Sequence, residues 1–297
     1  MQSRTLGKEL TVSAIGLGIM GMDHAYGQAA DRGEMADLIR YSVELGGNFF
    51  DTAPIYGKAN EMLLGGAVKG IRDKVVIATK FGIVGQSHSA KGVENVLDSR
   101  PEAIRKQVDE SLANLQTDYI DLYYQHRIDP NVPPEAVAEV MNELMAAGKI
   151  RYWGVSNAPL DYMAKAHAVS PITATENQYS MLARQPEQGL FAFCEAHHIG
   201  FVAYSPLGNG FLSGRFNVQT QYGEGDFRRT MARFSPEVMA KNQAVLDLLH
   251  DLAAAKSATP SQIVLAWELA KSPISCRFPA RPKNSVWRKI WRQRRFD

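Results

Sequence analysis

The sequence predicts an α/β protein whose parallel strands close into a (β/α)8 barrel, and two observations carry that expectation. Short apolar segments rich in β-branched and aromatic residues alternate with longer segments of helical period along most of the chain. Eight strand segments can be counted in this alternation, and strands separated by helical crossovers pair in parallel, so the sheet can close on itself with the helices outside.

The elements follow in chain order. VSAIGLG, NFFDTA, KVVIATK and YIDLYYQH read as strands one to four, separated by EMADLIRYSVELG, EMLLGGAVKG and PEAIRKQVDESLANLQ as helices. IRYWGVSN, ITATENQ and IGFVAYS read as strands five to seven, with PEAVAEVMNELMAAGK, PLDYMAKAHA and PEQGLFAFCEAHH between them. A long Gly-rich loop leads to the helices PEVMAKNQAVLDLLHDLAAAK and PSQIVLAWELAK, and ISCRF is the eighth candidate strand. Pro101, Pro134 and Pro260 mark first helical turns, where proline's missing N–H had no intrahelical partner to lose. Gly47, Gly148 and Gly200 are read as the points where a helix stops and turns into the next strand. No internal repeat and no linker composition is visible, so residues 1–297 read as a single domain of TIM-barrel type, with 273–297 as an atypical basic tail.

With 45% hydrophobic and 22% charged residues the chain falls in the globular class, and its length suffices for one large core. No apolar run approaches the ~18 residues of a membrane span, and the first residues lack the apolar stretch of a secretory signal, so a cytoplasmic location is expected. Cys194 and Cys276 lie far apart without metal-ligand spacing and are expected to be free thiols; no metal site is expected. The net charge of +2 conceals an asymmetry. Arg277, Arg281, Lys283, Arg288, Lys289, Arg292, Arg294 and Arg295 face only Asp297, a net of +7 that leaves −5 on residues 1–276. The basic balance is therefore a property of the tail and gives no reason to expect a nucleic-acid partner for the barrel.

In such barrels the reactive groups lie at the C-terminal ends of strands. Strand two ends in Asp51 and runs into PIYG with Tyr56; strands three and four end in Lys80 and His126; strands five, six and seven end in Ser156-Asn157, Asn177-Gln178 and Tyr204-Ser205. These groups converge on one mouth. A tyrosine is a poor acid at neutral pH unless a neighbouring cation favours its phenolate; Lys80 can supply that cation, Asp51 can hold it charged, and His126 can orient a substrate oxygen. Spacing alone leaves alternatives open: Asp51 as a turn cap, His126 as an ordinary polar group, or Lys80 as the Schiff-base lysine of a lyase.

The segment GGNFFDTAPIYGKANEMLLGGAV resembles the Asp- and Tyr-bearing signature of the aldo-keto reductases. VVIATKFG is similar to their catalytic-lysine strand, DLYYQHRIDP to their histidine strand and MNELMAAGKIRYWGVSN to a second signature; AYSPLGNGFLSGRF resembles the cofactor loop of the bacterial, short-loop branch. The resemblance extends over about residues 3–273. It implies NADPH-dependent reduction of an aldehyde or ketone, with Tyr56 as proton donor, Lys80 and Asp51 favouring its phenolate and His126 orienting the carbonyl. It further implies that Ser156, Asn157 and Gln178 bind the nicotinamide carboxamide and that Tyr204 stacks on the ring. The backbone of Ser205, Leu207, Gly208 and Gly210, with Ser213 and Gly214, would cradle the pyrophosphate. Met20 is a further cofactor-side candidate. Phe81, Tyr152 and Trp153 can touch substrate or belong to the core, with the core favoured for the last two. Arg228, Arg229 and Arg233, in a stretch that also resembles the family, can approach phosphate or stay solvated. Because the resemblance reaches barrels that serve as cofactor-sensing channel subunits, a regulatory protein with little turnover is the alternative function.

Members of this resemblance continue after SQIVLAWELAK with an apolar eighth strand of the type IVPIPG, then a short helix whose Arg and Glu-Asn hold the 2′-phosphate and adenine. Here the chain reads SPISCRFPARPKNSVWRKIWRQRRFD. Permitted codons for Ile274 to Lys283, read two bases later, give Ile-Val-Pro-Ile-Pro-Gly-Thr-Pro-Lys, and the same frame onward permits Leu-Glu-Glu-Asn. The tail thus reads as a frameshifted ending, with Arg277 expected to turn outward and the barrel expected to close imperfectly between strands seven and one. The rival reading is a basic-aromatic anchor built on Trp287 and Trp291.

A version of the chain restored to the other frame is expected to bind NADPH more tightly. Two charge-assisted hydrogen bonds at ~1.5–3 kcal/mol each amount to about 3–6 kcal/mol, or roughly 10²–10⁴-fold in affinity. Fluorescence titration of both versions checks this, and equal dissociation constants with equal melting temperatures would show that the ending is not damaged.

Overall fold

The computed structural model describes all residues except 24–25, 27–29, 90–91, 272–273 and 280–297; at 88, 89, 92 and 274–279 only the backbone is described. The barrel strands are β1 (Ile15–Gly18), β2 (Phe49–Asp51), β3 (Val76–Phe81), β4 (Ile120–Gln125), β5 (Ile150–Ser156), β6 (Ala174–Gln178), β7 (Gly200–Tyr204) and β8 (Ile274–Pro279). Each pairs in parallel with its sequence neighbours, and β8 returns to β1, so the sheet is a closed barrel.

The eighth strand corrects one expectation. It pairs with β7 (Phe201 with Ile274, Ala203 with Cys276) and with β1 (Cys276 with Ile15, Pro279 with Gly18), so closure between strands seven and one is complete along the backbone. A parallel ladder is made by main-chain groups, which every non-proline residue carries alike, so the atypical sequence does not prevent pairing. The direction of the Arg277 side chain, and the tail beyond Pro279, lie outside the described residues.

Strand periodicity divides the core into two layers. Outward residues such as Ile77, Phe81, Tyr123, Trp153, Val155, Phe201 and Ala203 meet the helices in the larger cluster. Inward residues Phe49, Val76, Ala78, Leu122, Tyr124, Ala174 and Val202 fill the lower barrel. The helices obey the same logic: in Pro101–Leu115 the buried positions are Ile104, Val108, Ser111 and Leu115, one stripe at i, i+4, i+7 and i+11. Pro101, Pro134 and Pro260 open their helices as expected. Thr259 and Gln262 form a reciprocal capping box on the last one, each side chain serving the other's backbone N–H.

Several boundaries differ from the sequence reading. VSAIGLG divides: Leu10–Ser13 pairs with Ser3–Leu6 in an antiparallel hairpin, and only Ile15–Gly18 enters the barrel. The Ser13 hydroxyl donates to Ile15 O at 2.8 Å, and its backbone N–H donates to Asn48 Oδ1 at 2.6 Å, which fixes the bend between the two strands. Leu6, Leu10 and Val12 of that hairpin plug the bottom of the barrel, each burial stabilising by ~1.5–3 kcal/mol. Of the three predicted helix stops, Gly148 has the expected left-handed backbone (φ +72°), but Gly46 (φ +86°) and His198 (φ +54°) take that role in place of Gly47 and Gly200. Gly200 is instead required by packing, because a Cβ there would stand 2.6 Å from Leu6 Cδ2. A second hairpin, Ile83–Ser89 with Gly92–Leu97, follows β3 and was not foreseen. Cys194 is buried and free, its thiol pushed up to about 12 by burial.

Gly154 faces the barrel interior, where an added Cβ would lie 2.3 Å from Ala174 O and 2.6 Å from the Tyr124 ring. Because one of those neighbours is backbone of the adjacent strand, Gly154→Ala is expected to destabilise by about 1–3 kcal/mol or more. Urea unfolding measures this, and an unchanged midpoint would refute the tight interior.

Candidate active site

Period-two alternation on β2, β3, β5, β6 and β7 turns Asp51, Lys80, Ser156, Glu176, Gln178 and Tyr204 to the same interior as Phe49, Ala78, Gly154, Ala174 and Val202, one layer higher. His126 follows β4 directly, its N–H donating to Phe81 O at 2.9 Å. Tyr56 arrives differently. It ends a 3-10 turn, Pro54–Tyr56, in which proline presets the backbone and Gly57, at φ +106°, lets the chain leave into the helix Lys58–Ala67. The turn is anchored by the Thr52 hydroxyl, which donates to Asn60 Oδ1 at 2.7 Å, and by Asn60 Nδ2, which donates to Ile19 O at 3.1 Å. The same helix is fixed to β3 by buried Glu61, which accepts from the Thr79 hydroxyl at 2.8 Å and from Asn114 Nδ2 at 2.9 Å.

Lys80 is the centre of the arrangement and is 1% exposed. Its Nζ donates to Asp51 Oδ1 at 2.5 Å and to Thr52 O at 2.9 Å, and it stands 3.5 Å from Glu176 Oε2. The ammonium lies 5.5 Å from the centroid of the Tyr56 ring. Tyr56 meets His126 edge to face, with centroids 5.9 Å apart and planes at 87°. All four residues read from strand ends in the sequence are therefore brought together.

Glu176 was missed. It is fully buried, sits two residues before Gln178 on the inward face of β6, and brings a second carboxylate to Lys80. The signal existed in ITATENQ, where alternation from Ala174 places Glu176 and Gln178 inward; Asn177 points outward and accepts from the Thr175 hydroxyl at 2.8 Å.

A cavity of about 390 Å³ opens at this end of the barrel. Tyr56, His126, Ser156, Glu176, Gln178, Tyr204, Ser205 and Met20 line it. Asn157 is one step behind, its Nδ2 donating to Ser156 Oγ at 2.9 Å and its Oδ1 accepting from the Tyr204 hydroxyl at 3.2 Å. Arg127, not singled out in the sequence, also reaches the cavity, donating to His126 O at 2.6 Å and Ser156 Oγ at 3.4 Å. The rim adds Ile83, Gln86 and Asn95 from the second hairpin, Tyr26 from the loop after β1, and Phe227 and Met231 from the loop after β7. No strand-end rule picks out such rim residues, since loops that are distant in sequence meet only in the folded barrel. Phe81 does not reach the cavity: its ring packs 4.9 Å from Tyr123 in the outer core, which corrects its reading as a substrate contact. Trp153 is fully buried, and Tyr152 packs partly buried against the lower barrel, as the core reading required.

Leu207, Gly208, Gly210, Ser213 and Gly214 lie in the loop after β7 but do not line the cavity; Ser205 and Asn209 do. Gly208, Asn209 and Gly210 have consecutive left-handed backbone (φ +57°, +60° and +98°). A Cβ on Gly210 would lie 2.8 Å from the Phe216 ring, so only glycine fits there. Asn209 Nδ2 donates to Ser205 Oγ at 3.3 Å and to the Tyr26 hydroxyl at 3.2 Å, linking this loop to the loop after β1. Amide-lined concavities of this kind suit anionic oxygens. With an amide-bearing cluster at Ser156, Asn157 and Gln178 and a tyrosine face beside it, the residues present fit a nicotinamide dinucleotide.

Comparison with known proteins agrees with this geometry. Residues 14–286 match the sequence pattern of the Aldo/keto reductase family, a match that runs past residue 273 into the segment that departs from the expected ending. A protein from Glycine max described as probable aldo-keto reductase 1 is 38% identical over 260 residues, covering 87% of this chain and 74% of that protein. Among solved structures, the glycerol dehydrogenase of Gluconobacter oxydans superposes with a TM-score of 0.87 at 26% identity, covering 97% of this chain and 89% of that one. An aldo/keto reductase from Klebsiella pneumoniae, in complex with NADP and acetate, gives 0.73 at 26% identity, covering 98% and 89%. On the barrel, the four converging strand-end groups and these matches, the chain belongs to the aldo/keto reductase family.

Proposed function

We propose that this protein is an NADPH-dependent oxidoreductase that reduces an aldehyde or ketone to an alcohol, with Tyr56 as the proton donor. The observation that carries the reading is the Lys80 ammonium, held at 2.5 Å by Asp51 beneath a Tyr56 ring that faces the cavity beside His126. The bound cofactor supplies a hydride. Everything else is work for the chain. Ser156, Asn157 and Gln178 offer the donors and acceptors an amide requires, and Tyr204 presents a ring against which a flat heterocycle can rest. His126 orients the carbonyl oxygen toward Tyr56. As charge develops on that oxygen the Tyr56 hydroxyl donates its proton, and the buried ammonium of Lys80 compensates the negative charge left on the phenolate, an effect strengthened by the low dielectric around it.

Lys80 is read as an ammonium rather than as a Schiff-base amine. Three oxygens from Asp51, Thr52 and Glu176 surround Nζ at 2.5 to 3.5 Å, and Nζ itself does not line the cavity. A nucleophilic amine needs the opposite environment, desolvated and beside another cation.

Tyr56→Phe is expected to lower kcat/KM for NADPH-dependent aldehyde reduction by about 10²–10⁴-fold while NADPH affinity, read by fluorescence, stays the same. Unchanged turnover would remove Tyr56 from the chemistry.

Lys80→Met leaves two carboxyl groups buried without their shared cation, so a stability loss of about 3–5 kcal/mol is expected. Glu176→Gln keeps the Lys80–Asp51 pair and is expected to cost much less. Urea unfolding of the two variants decides; equal losses would mean that Lys80 is not the hub of the cluster.

A further inference from the structure

The three arginines of DFRRTMARF have different fates in the fold. Arg228 is buried and committed: its backbone N–H and Nε donate to Asp226 Oδ1 at 3.1 and 2.8 Å, the pair is closed by a second guanidinium nitrogen, and the guanidinium lies over the rings of Tyr26, Phe216 and Tyr222. Arg229 is exposed. Arg233 is half-buried, and its Nη1 is shielded from solvent with no hydrogen-bond partner among the described residues.

The surroundings of that nitrogen name its ligand. It stands 3.4 Å from the point where a Cβ on Gly208 would lie, beside the left-handed run Gly208–Gly210. A buried guanidinium N–H without an acceptor is costly, whereas one anionic oxygen satisfies it with a charge-assisted bond. The absence of a side chain at Gly208 leaves the approach open, and the backbone of the same loop offers N–H groups to the same anion. We infer that Arg233 is a phosphate ligand of the bound dinucleotide, acting at the pyrophosphate rather than at the 2′-phosphate. The inference rests on the proposed cofactor reading and adds a residue to it. It also gives the loop after β7 a cationic anchor within the described part of the chain, independent of the basic tail.

Pyrophosphate is common to NADPH and NADH, so Arg233→Ala should weaken both by the same factor, about 10-fold to 100-fold for one lost charge-assisted bond. The measurement is fluorescence titration of each dinucleotide into the full chain, with no substrate present. Arg233→Lys keeps the charge without the planar fork and should recover part of the loss. Arg229→Ala serves as the exposed-arginine control and should bind as the unaltered protein does. Melting curves without cofactor separate an affinity effect from misfolding. Unaltered affinity in a folded Arg233→Ala protein would overturn the inference, and so would a loss confined to NADPH, which would move the contact to the 2′-phosphate. If the unaltered protein binds neither dinucleotide, it is the cofactor reading itself that fails.

Discussion

The rest of the site depends on one buried cation. Lys80 is enclosed in the barrel, and an ammonium removed from water must be met by opposite charge and hydrogen-bond acceptors or it will not stay there. Asp51 comes from the neighbouring strand β2, and Glu176 from β6, three strands further round the closed sheet. The contact with Glu176 therefore spans the lumen, and the position of the charge is defined by two walls of the barrel instead of one. Tyr56 takes its place relative to this point, since the ring sits over the ammonium and the turn that carries it begins at Thr52, whose carbonyl also accepts from Nζ.

This arrangement requires a dry floor. Phe49, Ala78, Leu122, Tyr124, Ala174 and Val202 fill the layer below, and the N-terminal hairpin closes the bottom with Leu6, Leu10 and Val12. Water is thus kept from the lower side, and the electrostatic interactions of Lys80 are stronger than they would be at a surface. The apolar layer and the charged layer are consecutive turns of the same inward alternation, so the packing that stabilises the barrel also aims the reactive groups.

The upper side is organised by loops. The Asp226–Arg228 pair, surrounded by Tyr26, Phe216 and Tyr222, ties the loop after β7 to the loop after β1, and Asn209 bonds Tyr26 from the Gly-rich stretch. The second hairpin contributes Ile83, Gln86 and Asn95 on another side. Cation, carboxylate and aromatic rings stabilise this rim together, whereas the individual exposed ion pairs of the outer helices, such as Lys106 with Glu110, contribute little.

What the sequence determined by itself was whatever depends on local period and on strand ends. Alternation of strand and helix segments gave the barrel, proline placed the helix starts, and the strand-end rule found Asp51, Lys80 and His126, with Tyr56 one turn later, because each of these is fixed by its own few neighbours in the chain. Tertiary structure alone decided the rest. The seven-residue segment VSAIGLG had to divide because Ser13 bonds both Ile15 and Asn48, and Asn48 is distant in sequence. Gly200 serves packing against Leu6 in place of a helix stop. Phe81 was turned away from substrate by the pleat that turns Lys80 toward it. Eight-strand closure survived an atypical last strand because backbone groups make the ladder. Glu176 and the distinct fates of Arg228, Arg229 and Arg233 required the fold, since a side chain's partner across a barrel or between two loops is set by three-dimensional proximity, which no local pattern encodes.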